Sequence, residues 1–134
     1  MEIYVDGASA GDPGLSGIGI VLIADGIYEQ ISQPIEMMSN HEAEFIAMKT
    51  GIAQALTYHP TFLRIYSDSK IVVQSIEKRH AKNPIFKPHL DTILQLLDTN
   101  DLFFVQWIPS ASNKKADDLA RQAIQKQKKD GFGA

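Results

Sequence analysis

The first 35 residues are short apolar runs broken by turn residues, a pattern that paired strands satisfy and a helix does not. Ile3 and Val5 alternate with Tyr4, and Gly7 closes a run that covers Met1 to Ala8. A glycine- and proline-rich turn follows from Gly11 to Gly14. A second strand is expected over Gly17–Ile23, and Asp25-Gly26 is a hairpin signal leading into a third, Ile27–Ile35. The periodicity then changes. From Ser39 to Tyr58, Phe45, Met48, Ile52 and Leu56 recur at helical spacing behind the capping-box pair Ser39 and Glu42. A strand over Phe62–Tyr66 precedes a helix over Ser69–Arg79, and Ile93, Leu94, Leu96 and Leu97 mark another helix. Leu102–Trp107 reads as a strand covered on both faces, and a last helix starts near Asn113. The order β-β-β-α-β-α-α-β-α predicts an α/β fold with an antiparallel part and a parallel part.

The chain has 134 residues, enough for one domain with a real core and too few for two. Residues 1–128 are read as that domain and 129–134 as a polar, disordered tail, with fraying from Lys126 onward. No cysteine is present, which excludes disulfides and thiolate metal sites. The N-terminus lacks a secretory pattern and no apolar run is long enough to span a bilayer. A cytoplasmic, monomeric protein without membrane attachment is expected. The net charge of −3 argues against a broad basic surface, although a cluster of active-site acids would also lower the sum.

The acids sit where acids are costly. Asp6 and Asp68 each end an apolar strand and precede a small residue, Gly7 and Ser69. Ligands of α/β sheets bind outside the carboxyl ends of strands, so the two suit one shared site. Each alone could equally be a turn former, and Asp68 a helix cap. Glu44 shares its helix face with Ala47, Met48, Gly51 and Ile52, the stripe that should meet the sheet. The alternative is a solvated carboxylate complementing the helix dipole. On the last helix Asp117 borders the face formed by Ala116, Leu119, Ala120 and Ala123, while Asp118 points away. Carboxylates without cysteine or paired histidines suit hard cations such as Mg²⁺ or Mn²⁺, and two such ions can drive phosphodiester hydrolysis.

Taken in order, these segments resemble the ribonuclease HI family. The resemblance rests on Asp6-Gly7-Ala8 followed by Gly11-Asp12-Pro13-Gly14, on Asn40-His41-Glu42-Ala43-Glu44, and on Tyr66-Ser67-Asp68-Ser69. It closes with Trp107-Ile108-Pro109 and Asn113-Lys114-Lys115-Ala116-Asp117-Asp118-Leu119-Ala120, so it covers nearly the whole chain. It implies a ribonuclease H-like fold: a five-stranded mixed β-sheet flanked by α-helices. It implies an endonuclease that hydrolyses the RNA strand of RNA–DNA hybrids, with Asp6, Glu44, Asp68 and Asp117 as catalytic residues holding two Mg²⁺ or Mn²⁺ ions. Products would carry a 5′-phosphate. Gly11, Asp12, Asn40 and His41 match positions that face the minor groove and read 2′-hydroxyls, and Ser39 and Lys70 would contact the nucleic-acid backbone.

Three departures from the family pattern follow. Asp12 stands where asparagine is common, and a carboxylate there would weaken hybrid binding. The loop Ile108–Ser112 has no histidine, which predicts slower turnover or another helper residue. The basic handle between the middle helices is short or absent, with Lys78, Arg79, His80, Lys82 and Lys87 as its remnant or simply a solvated turn. His59, His80 and His89 are read as surface residues, and Phe103, Phe104 and Trp107 as core. The main rival reading is a weakly active or inactive hybrid-binding protein of the same fold. An actin-type nucleotide-binding protein is disfavoured by length, and a transposase core by Asn40-His41.

Overall fold

The computed structural model describes residues 1–130, so the last four residues of the expected tail lie outside it. Its strands are β1 (Glu2–Ser9), β2 (Gly14–Ala24), β3 (Ile27–Met38), β4 (Leu63–Ser67) and β5 (Phe103–Trp107). They form one sheet in the order β3-β2-β1-β4-β5. The three consecutive strands pair antiparallel, while β1–β4 and β4–β5 are parallel. The helices are α1 (Asn40–Leu56), α2 (Lys70–Lys78), α3 (Lys87–Asp98) and α4 (Lys114–Lys129), with a 3₁₀ turn at Ser110–Ser112. This is the element order, and the five-stranded mixed sheet flanked by helices, that the sequence predicts. Among the described residues no helix is long and apolar enough to cross a membrane.

The alternation of β2 explains the layering. Ile18, Ile20 and Leu22 are fully buried with Ile3 and Val5 of β1 beneath α1, in the core that α2 and α3 complete through Val72, Ile76, Leu90 and Ile93. Gly17 and Gly19 face the other way and lie against Ala116, Ala120 and Ala123 of α4. A strand reading Gly-Ile-Gly-Ile thus presents bulk to one helix and none to the other. Small against small lets α4 lie close across β1, β2 and β3.

Five expectations are corrected. β5 is an edge strand, not one covered on both faces, because α4 ends its reach at β1. Phe103 and Val105 pack inward, but Phe104 is 53% and Trp107 40% exposed, so neither is core. The capping box is half made: Ser39 Oγ accepts from Glu42 N at 3.2 Å, while the Glu42 carboxylate bonds His89 Nε2 at 2.8 Å. His89 is therefore not a surface residue; it is half-buried between α1 and α3, with Lys49 Nζ 3.3 Å from its Nδ1. The helix cap before α2 is Ser69, whose Oγ accepts from Val72 N, rather than Asp68. Finally, α4 stays helical through Lys129 instead of fraying from Lys126.

Candidate active site

The parallel pairing of β1 with β4 ends at Val5 opposite Ser67. The next residue on each strand is an aspartate, Asp6 and Asp68, so adjacent parallel strands deliver both carboxylates to one sheet edge. β1 itself continues to Ser9 along β2, so Asp6 lies within the strand rather than at its end. Two further elements close on this point. Gly7 lies against the backbone of Ala43 and Glu44, which brings the first turns of α1 down onto β1. Gly19 lies against Ala116 and Ala120, which does the same for α4 and Asp117. Asp6, Glu44, Asp68 and Asp117 then line one cleft of about 500 Å³, together with Ser9, Asn40 and Ser110. Asp118, one residue on, is exposed.

The electrostatics of this cleft are unfavourable without a counter-charge. Asp6 is 8% exposed. Burial first, and then the negative charges and hydrogen-bonding carboxyls of Asp68 and Asp117, push its acid up to about 9. Burial also raises the Glu44 carboxyl, against the pull of Ser69 and His41, with Asp68 adding to the rise. Two of the outer acids, Glu44 and Asp117, have orienting partners. Asn40 Nδ2 donates to Glu44 Oε1 at 2.6 Å, while Asn40 Oδ1 accepts from Ser9 N at 3.3 Å. His41 Nδ1 is 3.9 Å from Glu44 Oε2, and Arg121 Nε is 2.9 Å from Asp117 Oδ2. Trp107 Nε1 donates to the Asp68 carbonyl at 3.0 Å, and Lys70 Nζ sits 5.0 Å over the Trp107 ring.

Among the described residues, no three His, Cys, Asp or Glu side chains are already posed around a cation. Glu44 and Asp117 instead turn towards Asn40 and Arg121. The donor set nevertheless fits a hard divalent cation: only oxygen ligands converge, and burial first, then the charges of Asp68 and Asp117, hold Asp6 far above its ordinary titration range.

Of the residues assigned to substrate, Asn40 lines the cleft and His41 stands beside it on the Glu44 side. Gly11 and Asp12 lie on the exposed β1–β2 turn just past Ser9 and Ala10, which line the cleft. Ser9 Oγ donates to Gly11 O at 2.6 Å, bracing that turn. Ser39 caps α1 through its hydroxyl, and Lys70 starts α2 above Trp107.

Sequence reasoning missed Arg121, although its place one helical turn after Asp117 was there to be read. It also missed Asn113. This residue is 2% exposed, and its Nδ2 donates at 2.9 Å to the carbonyl of Val5, the residue before Asp6. Its own carbonyl accepts from Asp117 N at 3.1 Å, so one side chain fixes α4 relative to β1 at the site. Its Oδ1 is buried and, among the described residues, unpartnered, which leaves the Val5 tie as the side chain's purpose. Asn113→Ala is expected to cost about 1–3 kcal/mol in urea unfolding, because the Val5 carbonyl loses its donor. A cost under about 0.5 kcal/mol would mean the tie is idle.

The family model described as RNase H matches residues 1–125. The chain is 44% identical to the Enterococcus faecalis protein named "Putative hydrolase EbsB", over 94% of this chain and 95% of that one. RNase H1 of Halobacterium salinarum superposes with a TM-score of 0.88 at 26% identity, over 93% of this chain and 97% of that one. LC11-RNase H1, isolated from compost and solved in complex with RNA/DNA hybrid, superposes with a TM-score of 0.85 at 25% identity, covering 93% and 96%. Family match, fold and the order of the motifs agree, and the chain belongs to the RNase H family.

Proposed function

We propose that this protein is an endoribonuclease that hydrolyses the RNA strand of RNA–DNA hybrids, leaving 5′-phosphate products, with Asp6, Glu44, Asp68 and Asp117 as its catalytic and metal-holding residues. The observation that carries the reading is the convergence of four carboxylates from β1, α1, β4 and α4 on one cleft. A binding module gains nothing from assembling acids that repel one another at a cost to its own stability. The hybrid bound to LC11-RNase H1, a structural relative over nearly the whole chain, supports the choice of substrate.

Members of the family use divalent metal ions, and two Mg²⁺ or Mn²⁺ held among these acids would supply water activation and charge neutralisation at the scissile phosphate. The chain's own part is positional. Asp6, buried at the centre, faces both partners; Asn40 aims Glu44 and Arg121 aims Asp117. Gly11, Asp12, Asn40 and His41 lie on one side of the cleft, where 2′-hydroxyls of a minor groove would pass, and Ser39 and Lys70 flank it for backbone contact. The carboxylate of Asp12 weakens that grip. The turn at Ser110–Ser112 offers the cleft a serine and no histidine, so turnover is slow for the family. The enzyme acts as a cytoplasmic monomer in this reading, in keeping with a cysteine-free chain.

The test is cleavage of an end-labelled RNA–DNA hybrid with Mg²⁺, Mn²⁺ or chelator, beside matched double-stranded RNA and DNA. Metal-dependent cutting of the hybrid's RNA strand alone is expected; well-folded protein that cuts nothing would overturn the reading in favour of a hybrid-binding protein. The two neighbouring aspartates of α4 give an internal control. Loss of one charge-stabilising ligand is worth several kcal/mol, so Asp117→Asn should lower kcat by about 10³-fold. Asp118→Asn, on the solvent side, should stay within about threefold of the unmodified enzyme. Equal losses at both positions would remove Asp117 from the site.

A further inference from the structure

Six of the chain's thirteen lysines and arginines sit on one helix. α4 holds Lys114, Lys115, Arg121, Lys126, Lys128 and Lys129 against Asp117 and Asp118, a net of +4 in a protein whose total is −3. These charges are not spread evenly around the helix. Asp117, Arg121, Gln125 and Lys128 follow one another at spacings of four, four and three residues, which at 100° per residue keeps them within roughly 80° of the helix surface. That stripe faces the catalytic cleft: Arg121, Gln125 and Lys128 line it together with the four acids. Arg121 and Gln125 also line an adjoining groove with Lys126 and Lys129, so the two hollows meet along α4. Ser32, Gln122 and the single acid Asp118 complete that groove.

We propose that the stripe Arg121–Gln125–Lys128 is a binding track for the phosphodiester backbone of the RNA strand beyond the bond being cut. Three observations favour this occupant. The charge is complementary to phosphate, and it lies on a protein that is otherwise acidic. The track is continuous with the carboxylate cleft, so a strand seated there for cleavage must leave along one of its ends. From Asp117 to Lys128 is eleven residues, about 16 Å of helix, the length of two to three nucleotides. Arg121 and Lys128 are exposed, and Gln125 supplies an amide between them, so no buried charge has to be stabilised. Arg121 also holds Asp117, and its planar guanidinium has donors to spare for a phosphate oxygen. The helix thereby supplies the grip that a basic handle between α2 and α3 would otherwise give; here only eight residues join those helices.

The inference rests on the hybrid being the substrate, and the experiment separates the two. A fluorescein-labelled RNA–DNA hybrid is titrated with the Asp68→Asn protein, which is expected not to cut it, over a series of salt concentrations with Mg²⁺ present. Lys128→Gln in that background is expected to lower the slope of log K against log salt by about 0.9, the value for one phosphate contact. The same counterion-release factor predicts roughly fivefold weaker binding near 0.15 M salt. Arg121→Gln should do the same, and the two together should lower the slope by nearly 2. The control is Lys115→Gln, an equal charge change at the other end of α4, in a separate groove with Tyr4 and Tyr28. It should leave the slope unchanged. Unaltered slopes for both Lys128→Gln and Arg121→Gln, or an equal fall for Lys115→Gln, would overturn the track. Cutting of the hybrid by the unmodified protein is scored alongside: if it cuts while the slopes do not move, the track fails and the enzyme reading stands.

Discussion

Asp6→Asn is expected to abolish hybrid cleavage and, in chelator, to raise the melting temperature of the protein. The two effects come from the same contacts. Asp6 is buried between Asp68 and Asp117, and its acid is pushed from near 3.9 in an unfolded chain to about 9 in the folded one. A raised carboxyl binds its proton more tightly when folded, so its contribution is most favourable below the unfolded value. That contribution is lost as pH rises from about 4 to about 9. At neutral pH and without metal the native fold therefore holds a proton that the unfolded chain would release, and this costs stability. Asparagine removes the titration and keeps an oxygen and an NH₂ to face Asp68 and Asp117. At about 1.36 kcal/mol per pH unit, a third of the displacement is already about 2 kcal/mol. For a domain of this size that is a rise of roughly 6–8 °C in Tm.

Melting curves in chelator at pH 5, 7 and 9 test this directly. The unmodified protein should lose stability towards pH 9, the variant should lose much less, and the gap between them should widen with pH. Added Mg²⁺ should stabilise the unmodified protein more than the variant, because the cation takes over the charge that the substitution removed. A variant that melts at or below the unmodified protein at pH 9 would refute the repulsion. Undiminished cleavage would remove Asp6 from the chemistry. The combination of a dead and more stable variant is informative because a merely structural aspartate would give the opposite sign.

How far the site could be read from the chain depends on whether a signal is local. Asp68 was legible because a strand end and a small following residue are local features, and Asp6 because it follows an apolar run and precedes Gly7, although β1 continues past it to Ser9. Glu44 and the choice of Asp117 over Asp118 were legible because helical phase is local too. What failed depended on neighbours distant in sequence. The apolar run Phe103–Trp107 says nothing about where α4 stops, and it is α4 falling short of β4 and β5 that leaves Phe104 and Trp107 exposed. Glu42 has the spacing of a capping box, but a histidine 47 residues on offers a better partner. Asn113 gives no hint of its role until α4 is docked, since its bond partner lies 108 residues away in β1. Arg121 is the exception: its phase was available, and only the search for acids passed over it.

The largest effect on the fold should come from a single methyl group at Gly19. A Cβ there would run into the Ala116 carbonyl oxygen, with the Ala120 amide nitrogen and Leu119 Cβ also inside 3 Å. Two of these three obstacles are helix backbone, which cannot rotate aside, so α4 must lift from β2. It is pinned at several points: Asn113 to Val5, Ser32 Oγ to the Leu119 carbonyl at 2.6 Å, and Gln127 Nε2 to the Ser16 carbonyl at 2.7 Å. Lifting strains or breaks these bonds, and overpacking of this kind costs roughly 3 kcal/mol or more. Asp117 follows Ala116 directly and moves with it. A displacement near 1 Å at a reacting centre can cost about 10²-fold, so kcat of the folded Gly19→Ala enzyme should fall by that order. Gly26→Ala is the matched comparison. Its Cβ would meet nothing within 4 Å, and the cost there is only the positive φ of 76° in the β2–β3 turn. It should lose about 1 kcal/mol and keep its turnover. Urea unfolding gives the stabilities, and turnover measured where circular dichroism shows both variants folded gives the second quantity. If Gly19→Ala loses stability but keeps kcat, the close approach of α4 serves packing alone. If both fall while Gly26→Ala keeps its rate, the absent side chain on β2 is what sets the distance between Asp117 and Asp6.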